Sequence, residues 1–299
     1  MKTGPVVYQI EHSTIYDYAQ PVGRARHLLH LNPRRVAWQT WRSCQLLIDP
    51  VPEERTEALD VWNNPATWLS YEGWHDRLSV HWQARCAVEE RPWHYCLRIP
   101  APDSSWEQVS AALDFGQQPE LDQLCFRYQS THVQIKQQLV EFSRDFFKGG
   151  CSVLQGAIAL TMYIQQHFTY RPNTTDVHTS VMNIWRSRTG VCQDFAHLMI
   201  ACLRSLGLPA RYVAGYLCTE APTDTERLRG VDATHAWVAV WTPEWGWVEM
   251  DPTNGCLADQ RHIVVGWGRD FADVSPLRGV IQGGGVPQLQ VAVTVNPVH

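Results

Sequence analysis

Three side chains that together can cleave or exchange an amide stand well apart in this chain. Cys192 lies within Gly190-Val191-Cys192-Gln193-Asp194-Phe195-Ala196-His197, His235 within Thr234-His235-Ala236-Trp237, and Asp251 within Met250-Asp251-Pro252-Thr253-Asn254-Gly255. A thiolate can attack a carbonyl carbon. An imidazole can hold the thiol proton and then deliver it to the departing amine, while a carboxylate fixes the tautomer of that imidazole and stabilises its cation. Such chemistry requires the chain to bring all three to one place.

Cys192 opens the clearest amphipathic run in the sequence. Phe195, Leu198, Met199, Cys202 and Leu206 recur at three- and four-residue intervals, and Gly207 and Pro209 end the pattern. The spacing predicts a helix with the cysteine in its first turn, where the helix dipole and unpaired N–H groups favour thiolate over thiol. Asp194, in the same turn, suits a helix start. The backbone N–H of Cys192 is then a first donor to a developing oxyanion. Tyr170, one connecting segment upstream, is a candidate for the second, and Gln193, Thr234 and Trp237 are candidates for contact with substrate.

His235 and Asp251 are linked by a hairpin pattern. His235 to Trp241 and Gly246 to Asp251 alternate, with the turn Thr242-Pro243-Glu244-Trp245 between them. A turn centred near Pro243 sets His235 opposite Asp251 to within about one residue, and directly opposed side chains have Cβ atoms about 4.5–5.5 Å apart. That spacing predicts a hydrogen bond from the carboxylate to one ring nitrogen, leaving the other for the thiol.

The remaining chain falls into three stretches. Residues 1–100 read as a β-rich domain, a compact antiparallel sandwich or barrel: Tyr8, Ile10, Tyr16 and Tyr18 share one alternating set, and further strands are predicted at Cys44–Ile48, Thr67–Tyr71 and Leu78–Val88. Residues 101–150 read as a helical connecting segment, with helices at about 106–115, 120–128 and 133–147. Residues 151–299 form the core that holds the three chemical residues. It begins with a helix capped by Ser152 and Gln155, includes a short helix from Ser180 to Arg188, and ends with a strand from Gln288 to Val295. The polar stretch 219–232 is predicted to be a mobile loop bordering the substrate entrance.

Composition removes several other functions. A net charge of −5 with 18% charged residues lacks the concentrated Lys and Arg of a nucleic-acid-binding surface. No apolar run reaches the roughly 18–20 residues of a membrane helix, and the first residues lack the apolar stretch of a signal peptide. Nine cysteines, an odd number with no C-x-x-C spacing, fit a reducing cytoplasm better than a disulfide framework or a structural zinc site. His27-Leu28-Leu29-His30 has no third ligand cluster and no acidic calcium loop is visible, so no metal or cofactor is expected. Arg269-Asp270 is a candidate ion pair near the site.

These segments resemble the bacterial transglutaminase-like family, within the wider transglutaminase/papain-like cysteine enzyme group. The resemblance rests on the Cys192 segment, Gly207-Leu208-Pro209-Ala210-Arg211-Tyr212-Val213-Ala214-Gly215-Tyr216, His235-Ala236-Trp237, Gly246-Trp247 with Asp251-Pro252-Thr253-Asn254, and Gly268-Arg269-Asp270-Phe271-Ala272-Asp273-Val274-Ser275-Pro276. Tyr16-Asp17-Tyr18, Leu31-Asn32-Pro33-Arg34 and Asp60-Val61-Trp62-Asn63-Asn64 extend it to the N-terminal part, where Asn63 replaces a glycine usual in the family. The resemblance implies an α+β architecture: the β-rich domain, then a papain-like core in which a Cys-bearing helix packs on an antiparallel sheet carrying His and Asp. It also implies Cys192 as nucleophile, His235 as acid/base and Asp251 as its orienting partner. The group includes cross-linkers, peptidases and amidases on one scaffold. The expected function is hydrolysis of a peptide or protein amide through a thioester. Acyl transfer to an amine is the alternative, and a non-enzymatic peptide-binding scaffold the second alternative.

Overall fold

Alternation in the first residues becomes one long strand. β1 (Val6–Leu29) buries Tyr8, Ile10, His12 and Thr14 on one face. The computed structural model describes residues 4–95, 104–114, 120–172, 179–219 and 234–298. β2 (Gln39–Asp49), β3 (Glu54–Leu59), β4 (Pro65–Tyr71) and β5 (His75–Val88) follow and form an antiparallel sheet in the order β2-β5-β1-β4-β3. β3 escapes the sequence pattern because Glu-Arg-Thr-Glu-Ala-Leu is exposed along its whole length on the sheet edge. An edge strand that buries nothing needs no apolar alternation, and its charges discourage pairing with other chains.

Among the described residues, five short or medium α-helices precede the cysteine helix. α1 (Trp106–Ala112), α2 (Leu121–Leu124) and α3 (Gln137–Ser143) are each shorter than the apolar spacing suggests. One side chain closes two helix ends at once: the Arg127 guanidinium donates to the carbonyls of Leu113 at 2.6 Å, Ser110 at 2.8 Å and Gly207 at 2.6 Å. α4 (Val153–His167) starts where the Ser152 hydroxyl accepts the Gln155 N–H at 3.1 Å. Two-residue strands β6 (Thr169–Tyr170) and β7 (Thr189–Gly190) pair in parallel around α5 (Val181–Ser187). α6 (Cys192–Ser205) is buried without a break from Asp194 to Arg204.

That burial follows from packing on a second antiparallel sheet, ordered β11-β10-β9-β8-β12. Its strands are β8 (Ala210–Leu217), β9 (Thr234–Thr242), β10 (Gly246–Asp251), β11 (Cys256–Leu257) and β12 (His262–Gly268). A cysteine-bearing helix on an antiparallel sheet carrying the histidine and aspartate is thus the observed core, beside a curled first sheet. No described helix is long and apolar enough to cross a membrane.

The two halves meet at β12. The Gln39 side chain accepts the Val264 N–H at 2.6 Å and donates to the Val264 carbonyl at 2.9 Å. Asn64 repeats the pattern with Trp267, at 3.0 and 2.8 Å. Each primary amide pairs with the backbone of β12 as a neighbouring strand would. Asn63 makes the second clamp possible by adopting φ 61, a left-handed conformation that asparagine tolerates better than most residues. The turn that a family glycine would form therefore survives.

The chain division needs one correction. After α7 (Phe271–Val274), β13 (Leu277–Gly283) and β14 (Gln288–Val298) leave the second half and pair with β1 of the first sheet, so residues 151–299 are not one structural unit. β14 runs along Val7 to Asp17 and β13 along Val22 to Leu29, each opposite the flank that β5 or β4 occupies. Without them β1 would expose a row of unpaired backbone groups. A chain truncated after Pro276 is expected to lose the cooperative melt of the full chain and to aggregate. Circular dichroism and soluble yield check this, and an unchanged melting curve would contradict the shared sheet.

Candidate active site

Cys192 is the first helical residue of α6, following Val191 in extended geometry. The Asp194 carboxylate turns back and accepts the Val191 N–H at 2.8 Å. Gly190 allows that turn, since a Cβ there would stand 2.8 Å from Asp194 Oδ2 and 2.9 Å from its Cβ. The sulfur is therefore held at the mouth of a helix whose own N–H groups point toward it.

His235 lies near the start of β9 and Asp251 ends β10. Their hairpin is centred on Glu244, with Thr242 opposite Gly246, rather than on Pro243. The direct partner of His235 is consequently Gly215 on β8, and Asp251 pairs with Cys256 on β11. The two side chains meet on a diagonal instead of face to face, and the predicted hydrogen bond forms: His235 Nε2 lies 2.7 Å from Asp251 Oδ2. The other nitrogen, Nδ1, is left for Cys192, whose sulfur is near enough to the ring to help raise its pKa. The structure thus brings all three predicted residues together.

The electrostatics favour a cationic imidazole. Burial opposes the charge on His235, but hydrogen bonds to Asp251 and Cys192 outweigh it and raise the pKa to about 10. Burial likewise opposes ionisation of Asp251, and hydrogen bonds from His235 and His262 overcome it, holding the carboxyl well below the usual range.

His262 is the residue that sequence reasoning missed. Its Nε2 lies 3.1 Å from Asp251 Oδ2, the same oxygen that binds His235. Its Nδ1 lies 3.1 Å from both the backbone N–H and the carboxylate of Asp259. An ionised carboxylate only accepts, so His262 donates from Nε2 whether or not Nδ1 also carries a proton. The backbone N–H groups of Thr253 and Asn254 bind Asp251 Oδ1 at 2.8 and 3.2 Å. The only advance signal was a histidine opening the run His-Ile-Val-Val. Ligand atoms of His235, Asp251 and His262 lie within 4.8 Å of one another, a spacing that could hold a metal ion. An ion there would take up the same Nε2 and Oδ2 atoms and dissolve the His235–Asp251 link.

Other expected residues divide. Gln193 and Thr234 line the cleft that also exposes Cys192 and His235. Trp237 does not meet substrate: its side chain is wholly buried, its ring lies against those of His235 and His262, and its N–H donates to Glu249 at 3.0 Å. Glu249 in turn lies 3.9 Å from the buried Arg91, which donates to the His262 carbonyl at 2.5 Å. Tyr170 lies half exposed near Cys192. Burial first, and then the cysteine's charge, raise its pKa and keep it a donor. Tyr212, fully buried beside the cleft, feels the same two influences. Arg269 pairs with Asp273 at 2.9 and 3.0 Å rather than with Asp270, because Asp270 caps α7 through the Ala272 N–H at 2.9 Å. Beyond Thr219, the loop at 219–232 lies outside the described residues.

Comparison with known proteins places the family and the fold. The family model of the transglutaminase-like superfamily matches residues 140–252, and that of the bacterial transglutaminase-like N-terminal region matches residues 8–87. An uncharacterized protein of Mycobacterium tuberculosis is 36% identical over 290 residues, covering 92% of this chain and 87% of its own. A protein-glutamine gamma-glutamyltransferase of Pseudomonas aeruginosa is 24% identical over 220 residues, covering 62% of this chain and 33% of its own. A solved candidate cysteine protease of Cytophaga hutchinsonii shares the fold, with a TM-score of 0.75 at 19% identity over 100% of this chain and 93% of that one.

Two measurements probe the geometry. Alkylation of Cys192 by iodoacetamide, followed across pH, is expected to change slope near pH 10 as His235 loses its proton. Because Asp251 raises that pKa, Asp251→Asn should move the change toward neutral pH. His262→Phe, which keeps a ring but removes the Nε2–H donor, should lower Cys192 reactivity at neutral pH by about tenfold or more, whereas His262→Gln should retain much of it. Equal loss in both variants would reduce His262 to a packing role.

Proposed function

The chain belongs to the transglutaminase-like superfamily, and from that membership we propose that it is a cysteine-dependent hydrolase of amide bonds in a peptide or protein. The observation that carries this reading is the position of His235, bonded to Asp251 through Nε2 and sharing one cleft with Cys192, whose charge it feels. The Cys192 thiolate attacks the amide carbon, and the oxyanion forms beside the Cys192 N–H. Collapse breaks the C–N bond as His235 donates its proton to the leaving amine, leaving a thioester on Cys192. Water then loses a proton to His235, attacks the thioester, and releases acid and thiolate. Asp251 holds the imidazole in place through both halves. Cys192 is partly exposed in a cleft of about 60 Å³, so water can reach the thioester.

A second reading, transfer of the acyl group to an amine, is favoured by the Pseudomonas relative named as a glutamyltransferase. The same thioester serves both fates, and only the acceptor differs. Cys192→Ala is expected to abolish turnover of a peptide-amide library while leaving thermal unfolding unchanged within a few degrees. Retained turnover would remove the thiol mechanism, and a substrate-binding protein without turnover in the unmodified chain would favour a scaffold. With a labelled primary amine present in excess, release of free acid alone supports hydrolysis, and label incorporated into product supports transfer.

A further inference from the structure

We propose that the N-terminal region supplies one wall of the substrate pocket, and that this pocket takes an uncharged, apolar side chain of the acyl donor. The proposal deepens the amide acyl-transfer reading above and rests on it for the nature of the donor. The cleft at Cys192 and His235 is walled by Leu31, Ala214, Ala236, Val265, Val274 and Pro276, and no Lys, Arg, Asp or Glu stands among its described lining. Leu31 comes from the segment after β1, far from the core in sequence, and is 1% exposed.

That wall is fixed to the core. The His30 N–H donates to the Pro276 carbonyl at 3.0 Å, and its Nδ1 lies 3.2 Å from the Ser275 carbonyl. Asp60 stands 3.3 Å from its Nε2, which ties the ring to the first half from the opposite side. Leu31 and Val265 belong to the apolar cluster inside the first sheet, whereas Ala236 belongs to the cluster under α6. The pocket therefore opens where the two cores meet. Small residues on the second-sheet side leave its space. At Gly215 no larger residue fits, since a Cβ would lie 2.0 Å from the Ile263 carbonyl oxygen.

An apolar group entering this space sheds water against apolar walls, whereas a charged group would lose hydration and meet no Lys, Arg, Asp or Glu of the described lining, the His235 cation being already paired with Asp251. The reactive sulfur faces the same space, so the group that fills it is attached near the carbonyl under attack. In this arrangement the N-terminal region acts as a specificity element rather than an appendage.

The test uses the full chain and a series of N-alkylmaleimides from methyl to butyl. The Cys192 adduct is quantified by peptide mass spectrometry, and each rate is divided by that of the same reagent with free cysteine. The normalised rate is expected to rise about threefold to fourfold per added methylene until the pocket is full. Leu31→Ala and Val265→Ala should each flatten the rise, and the volume-matched Leu31→Met should preserve it, with circular dichroism checking each fold. A flat series in the unmodified protein overturns the pocket. An unchanged slope in Leu31→Ala overturns the N-terminal wall. A peptide-amide panel separates this proposal from the reading beneath it. If the alkyl slope holds while no peptide is cleaved, the pocket stands and the hydrolase reading falls. If charged and apolar donors are cleaved equally fast, the hydrolase reading stands and the pocket assignment falls.

Discussion

A buried carboxylate governs the geometry of the candidate site. Asp251 is wholly inaccessible, and an isolated ion in that position would be driven to protonate. It stays charged because donors arrive from several elements at once: His235 from β9, His262 from β12, and the backbone of the turn after β10. Each donor is a constraint on a different strand. The carboxylate thus fixes the imidazole, and the imidazole fixes where a sulfur at the start of α6 can be useful.

The helix and its cysteine were legible in the sequence because their cause is local. Apolar spacing in Phe195 to Leu206 defines the buried face, and Gly190 and Asp194 shape the first turn. The hairpin was legible only approximately. A one-residue shift of its centre moved His235 from direct opposition to a diagonal, and the contact survived because side chains two positions apart share a face. Trp237 shows the limit of that logic. Its parity matches His235, but depth within the sheet is not written in alternation, and the indole ends against Glu249 instead of substrate.

What stayed illegible depends on long-range return of the chain. His262 reaches Asp251 only because the chain after β11 crosses to the opposite edge of the sheet and enters β12 beside β8, a path with no periodic signature. β13 and β14 look like ordinary strands in sequence, and nothing local says that their partner lies more than two hundred residues earlier. The N-terminal and C-terminal parts of the chain therefore share a sheet. The site sits between that sheet and the helix-covered one, where residues of both can reach it.

The side-chain amides of Gln39 and Asn64 have an effect beyond joining the halves. By occupying the backbone groups of Val264 and Trp267, they cap the outer margin of the second sheet with groups that cannot be extended. An incoming polypeptide cannot lengthen the sheet there by strand addition. Extended ligands are therefore steered away from that margin, and a chain delivering its bond to the sulfur must be recognised by its side groups more than by a ladder along β12.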